Sequence, residues 1–338
     1  MKTTINLFST HDSAQVPSLP KAESWRGLPQ SGGHKGKFPS VPIACLAVVF
    51  LSVMATSAHA GILAYEGFNY APGNQFGLSS PATTATGFSG NFHFFGEDLT
   101  IAPNASQIVA GSLGYTDGAS QVLATSANHY ENGHGRLSET FNTSGGGPFA
   151  SYLEGSNIGA NGKTLYLSVA YKLGALTGTG YGAFELFRGS DTDPNRILSL
   201  NTFAGHPSGN LFLDVGEGAN SGTFGGSPSK ESDLGFVNTN TNFFVFRFDF
   251  GTGGTDTVSV YANPLLGSEP VSPIAQVSAS DLSFDRIANS TFSGGPAQSI
   301  DEIRVGTSYA SVTGVPEPGT AFVGVLLLGV AAARRRRR

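Results

Sequence analysis

Asp191-Thr192-Asp193-Pro194-Asn195 places three oxygen donors at alternate positions, which is how a calcium loop begins. An EF-hand would continue with glycine at the sixth position and a bidentate glutamate at the twelfth; Arg196 and Thr202 stand there instead. The stretch is read as a polar turn built on Asx hydrogen bonds and Pro194, with Ca2+ held by Asp191, Asp193, Asn195 and a backbone carbonyl as the alternative. His129-Tyr130-Glu131-Asn132-Gly133-His134 gathers two imidazoles and a carboxylate. It has neither the H-E-x-x-H spacing nor a helix to set both rings on one face, so zinc chemistry is not expected. Glycoside hydrolysis needs two carboxylates at a fixed separation. Glu154 and Glu185 are each isolated in sequence and are expected to face solvent. Gly225-Gly226-Ser227-Pro228-Ser229 lacks the closing glycine and the preceding strand of a nucleophile elbow. No P-loop or G-x-G-x-x-G stretch occurs. No catalytic set and no organic cofactor is expected.

The elements that must position these residues read as short strands. The stretch from Gly61 to Tyr70 puts Ile62, Ala64 and Glu66 on one face and Leu63 and Tyr65 on the other before a Pro-Gly turn. Further strands are expected near Asn91–Phe95 and at Gln121–Thr125, Gly135–Phe141, Thr164–Leu173, Tyr181–Phe187, Arg196–Phe203, Asn210–Val215, Phe243–Phe250, Thr257–Tyr261 and Ser299–Val305. Phe243–Phe250 sets Phe244, Phe246, Phe248 and Phe250 opposite Phe243, Val245, Arg247 and Asp249. Four rings on one face need a cover, so this strand should be central and face a second sheet. No window of residues 61–313 holds a convincing 3.6-residue period, and Gly and Pro interrupt most runs. The fold class expected is all-β: a two-sheet antiparallel sandwich of the jelly-roll type over residues 61–313.

Both ends differ from this body. Lys35 and Lys37 precede an apolar run, Val41 to Val53, and then Ala58-His59-Ala60. A basic region, an apolar region and an A-x-A site describe a secretory signal peptide read by the Sec machinery, with residues 1–60 as leader and cleavage after Ala60. The single cysteine, Cys45, lies within the leader, so an exported body would hold no disulfide and no thiol chemistry. At the other end, Val315-Pro316-Glu317-Pro318 is followed by the uncharged Thr320–Ala333 and by Arg334–Arg338. Fourteen helical residues span about 21 Å, short of the roughly 30 Å of a bilayer core, and the arginines would hold their end on the cytoplasmic side. The two prolines should keep the tetrapeptide extended. Residues 61–333 carry 9 Lys and Arg against 22 Asp and Glu, a net charge of −13. So acidic a body disfavours nucleic acid as a partner.

The tail, residues 315–338, resembles the PEP-CTERM sorting signal of Gram-negative bacteria, in which V-P-E-P, a short apolar helix and an arginine run follow one another. That resemblance implies recognition and cutting by an exosortase at Val315, Pro316, Glu317 and Pro318. It also implies transient residence in the inner membrane, then a surface or extracellular place among exopolysaccharide. The opening Tyr65-Glu66-Gly67-Phe68-Asn69-Tyr70 and closing Ile300-Asp301-Glu302-Ile303-Arg304-Val305-Gly306 resemble the first and last strands of concanavalin A-like and laminin-G-like jelly rolls. In that fold the terminal strands pair side by side. Its glucanases carry E-x-D-x-E on one strand, a pattern missing from this sequence. The function expected is structural or glycan-binding in an exopolysaccharide or biofilm matrix, without catalysis; the alternative is a polysaccharide hydrolase or lyase of the same fold.

Overall fold

The computed structural model describes residues 61–73, 85–95, 106–174, 180–202, 210–216, 229–235, 239–292 and 294–314. Ala58, Ala60 and Val315–Pro318 lie outside the described residues. In chain order the strands are β1 (Ile62–Glu66), β2 (Phe88–Phe95), β3 (Ser106–Ala110), β4 (Asn128–Asn132), β5 (Gly135–Phe141), β6 (Leu153–Glu154), β7 (Asn157–Ile158), β8 (Thr164–Leu173) and β9 (Tyr181–Phe187). They continue as β10 (Arg196–Thr202), β11 (Phe212–Gly216), β12 (Ser229–Asp233), β13 (Asn242–Asp249), β14 (Thr255–Ala262), β15 (Ala275–Ser280), β16 (Arg286–Phe292) and β17 (Gln298–Gly306), followed by the short helix α1 (Tyr309–Thr313).

Two antiparallel sheets form a sandwich. One has eight strands, in the order β15-β14-β13-β8-β17-β4-β3 with β1 also on β17; the other has seven, β12-β11-β10-β9-β16-β5-β2. The chain's first and last described strands are hydrogen-bonded neighbours, with Tyr65 opposite Arg304 and Glu66 opposite Ile303. β4 pairs with the first residues of β17 and β1 with the last, so one edge of β17 serves two partners. On the other edge of β17 the register against β8 shifts between Asp301 and Arg304, and Glu302 there has a φ of 54°.

The alternation of β13 does what four rings on one face require. Phe244, Phe246, Phe248 and Phe250 all enter the inter-sheet core, where Phe246 stacks with Phe184 of the facing sheet at 6.1 Å. Each buried ring is worth about 1.5–3 kcal/mol over exposure. The opposite residues of the strand, Phe243 and Val245, lie in a second cluster outside the eight-stranded sheet, with Leu113, Tyr115, Leu123, Leu266, Tyr309 and Val312. Thus two loops and α1 cover the outer face of the eight-stranded sheet around β8 and β13. Ser308 caps α1 by accepting from the Ser311 N–H, and Gly314 ends it with a φ of 72°, which glycine adopts without steric cost.

Gln121–Thr125 is not a strand. Only Val122 makes a bridge, to Thr116, while Asp117 Oδ1 accepts the N–H groups of Ala119 and Gln121 and bends the stretch into a loop. A carboxylate four residues upstream of Gln121 offers the backbone a local partner that outcompetes a ladder.

Candidate functional site

The outer face of the seven-stranded sheet is polar. Register places Glu231, Asp214, Ser199, Glu185, Ala288, Ser138 and His93 in one row, one residue from each strand. Beside it runs Asn201, Ala183, Ser290 and Arg136. The period of two fixes this division, because the alternating neighbours Leu200, Phe184 and Leu137 point into the core.

Glu185 corrects the sequence reading. Expected to face solvent, it is fully buried at the centre of this face. Its Oε1 accepts from Arg196 Nη1 at 2.8 Å and from the Tyr181 hydroxyl at 2.5 Å; its Oε2 accepts from Arg136 Nε at 3.2 Å and from the Ser290 hydroxyl. Burial alone would raise its pKa, but Arg136 and Arg196, then Ser290 and Tyr181, together hold it below the usual carboxylate range. Arg136 lies over the rings of Phe187 and Phe292, at 4.8 and 5.4 Å from their centroids. Tyr181 is pushed well above its ordinary value, first by burial and then by the Glu185 charge. Four donors on four acceptor positions make this a satisfied ion cluster. Glu154, by contrast, is exposed on β6 as expected.

The Asp191–Asn195 turn, which joins β9 to β10, clamps the cluster from above. Arg136 Nη1 donates to the Asp191 carbonyl, and Arg136 Nη2 donates to Asp193 Oδ1 at 2.8 Å. Asp191 Oδ2 accepts from the Ser138 hydroxyl and from His93 Nδ1, both at 2.7 Å. Those two bonds outweigh burial and keep the Asp191 carboxyl below its ordinary value. Asn195 turns back locally, donating to the Thr192 hydroxyl at 2.8 Å. The three oxygen-bearing residues therefore face an arginine, a histidine and a threonine rather than a common centre. His129 and His134 do not converge either: His129 Nδ1 bonds the Gly111 carbonyl, and His134 stands edge-on to Phe292. Among the described residues no group of three or more His, Cys, Asp or Glu is arranged to hold a metal ion.

Sequence reasoning missed Arg136, Arg196, Tyr181 and Ser290 as partners of Glu185. The available signal was their parity: Arg136 with Ser138, and Tyr181 with Glu185, share the non-core side of strands whose limits were read correctly.

The fold and this face define a two-sheet antiparallel β-sandwich with a buried ion cluster outside one sheet. No family model matches the chain, and no curated protein matches it in sequence. Solved structures similar to it include an endo-β-1,4-glucuronan lyase from the fungus Trichoderma reesei, at 10% identity over 65% of this chain and 97% of that one, with a TM-score of 0.40. A family 7 alginate lyase in complex with product matches at 10% identity over 64% of this chain and 95% of that one, with a TM-score of 0.34. The binding domain of botulinum neurotoxin DC in complex with SialylT matches at 10% identity over 68% of this chain and 46% of that one, with a TM-score of 0.35. At such scores these likenesses decide nothing about what this chain binds or does.

Proposed function

We propose that the chain is an exported protein, cut after Ala60 and again at Val315–Pro318 by an exosortase, whose sandwich serves a structural or glycan-binding role in an exopolysaccharide matrix. The observation that carries this reading is the sequence of the tail: V-P-E-P, an uncharged apolar stretch and five arginines, set directly after a folded body. The body suits such a role. Its polar sheet face is braced at the centre by Glu185, whose carboxylate pairs with both Arg136 and Arg196. With a net charge of −13 over residues 61–333, a neutral glycan is the natural ligand. Pull-down of the protein by polysaccharide from the producing cells tests the glycan-binding part; retention on neutral polymers is expected, and no retention on any polymer leaves only the structural role.

A second reading, polysaccharide hydrolysis or elimination, is favoured by His93. Its side chain is 64% exposed, and Asp191 holds Nδ1 at 2.7 Å, which leaves Nε2 outward as a base beside Arg136 and Ser138. Release of reducing or unsaturated ends from the native polysaccharide, abolished by His93→Ala, would support that reading over the first.

A further inference from the structure

Four large apolar side chains stand exposed among the described residues: Val122 (69%), Leu265 (45%), Val271 (102%) and Ile274 (49%). All four lie in two loops, residues 111–127 between β3 and β4 and residues 263–274 between β14 and β15. The loops hold each other. Leu266 N–H donates to Asp117 Oδ2 at 2.8 Å, and the Tyr115 hydroxyl donates to the Pro264 carbonyl at 2.7 Å. Helix α1 is fixed to the same pair, its Tyr309 hydroxyl donating to the Leu265 carbonyl at 2.6 Å. Exposed apolar residues scattered singly need no explanation; these four all fall on one pair of loops that are hydrogen-bonded to each other.

What lies next in the chain identifies the contact. α1 ends at Gly314, and only residues 315–319 separate it from the uncharged Thr320–Ala333. Five residues reach at most about 17 Å when fully extended. A body tethered so closely cannot tumble freely, and the loops beside α1 are held near the bilayer whenever the tail is inserted. Their composition fits an interface. The two loops contain no Lys or Arg and only two carboxylates. Asp117 is saturated by three backbone N–H groups, and Glu269 is bound by Arg247, Tyr166 and Tyr261. Nothing there must shed a free charge to enter the headgroup region.

We propose that the tips of these two loops rest in the bilayer surface while the tail is inserted, turning α1 and the cleavage motif toward the membrane. The proposal rests on the reading of residues 320–333 as membrane-inserted. Because the loops are not basic, the contact should depend on apolar insertion and not on anionic lipid.

The test uses the full chain with Cys45→Ser, carrying one cysteine at a time from Val122→Cys, Leu265→Cys or, on the outer face of the opposite sheet, Glu231→Cys. Each is labelled with an environment-sensitive dye and reconstituted into phosphatidylcholine vesicles with or without a spin-labelled quencher lipid. Positions 122 and 265 should be quenched at least about twofold more than position 231, equally in vesicles with and without phosphatidylglycerol. Equal quenching at all three positions in vesicles that carry the chain would overturn the loop contact and leave the tail reading intact. A dye shift that instead follows protein concentration in detergent would give the surface to a second copy and also overturn it. A chain that fails to float with vesicles would remove the tail reading and this inference together.

Discussion

Glu66→Gln should make the protein more stable in base without weakening it in acid. Glu66 is 1% exposed where β1 leaves the terminal strand pair; Oε1 accepts from the Phe68 N–H at 2.5 Å and Oε2 from the Tyr70 hydroxyl at 2.7 Å. Burial, reinforced by the nearby Glu302 charge and only partly offset by those two bonds, raises its carboxyl from 4.5 to about 7. The folded state thus holds a proton that the unfolded chain has released. Its contribution is fully present below pH 4.5 and is lost as pH rises to about 7. At about 1.4 kcal/mol per pH unit for one proton, the loss is on the order of 3 kcal/mol. Glutamine fills the same volume, its oxygen keeping the Phe68 bond and its amide donating to Tyr70 once that hydroxyl turns. Urea unfolding of the full chain in mild detergent, followed by far-UV circular dichroism because the single tryptophan, Trp25, precedes the sandwich in the sequence, gives stability at each pH. The variant should gain on the parent by about 3 kcal/mol between pH 4.5 and pH 8, while a slope from Asp301, raised by burial to about 8, persists in both. Parallel pH profiles for the two proteins would refute the reasoning.

Glu185→Ala leaves the buried Arg136 and Arg196 with only the half-exposed Asp193 as counter-charge, and a loss of about 3–5 kcal/mol is expected in the same assay; a loss under about 1 kcal/mol would mean that Asp193 and water replace the lost carboxylate. Phe246→Ala removes a fully buried ring at the centre of the inter-sheet core and should cost about 3–5 kcal/mol by the same measurement. Calcium should leave the thermal midpoint unchanged, since Asp193 and the Asp191 carbonyl already engage Arg136; a saturable rise that Asp193→Ala abolishes would restore a metal to that turn.

Strand chemistry was readable wherever alternation was strong. Gly135–Phe141, Thr164–Leu173 and Tyr181–Phe187 fall on the observed limits of β5, β8 and β9. β16, read RIANSTF, escaped because polar residues occupy both of its faces: Ser290 serves the ion cluster while Asn289 enters the core and donates to Gln298. β15 escaped because its buried face is built from Ala275, Val277 and Ala279, too small to signal a core. The pairing of β1 with β17 followed from a resemblance between two short motifs rather than from any property local to either. The site was least legible. Glu185 looks solitary in sequence because its partners come from β5, β10 and β16, at separations of 49, 11 and 105 residues. Only the fold brings them together.

Intact mass spectrometry of the polypeptide recovered from the cell surface and from the medium tests the central claim most directly. The account predicts a chain that begins at Gly61, ends at or within Val315–Pro318 and lacks Arg334–Arg338. Recovery of the body with its arginine tail intact, in every fraction, would contradict it.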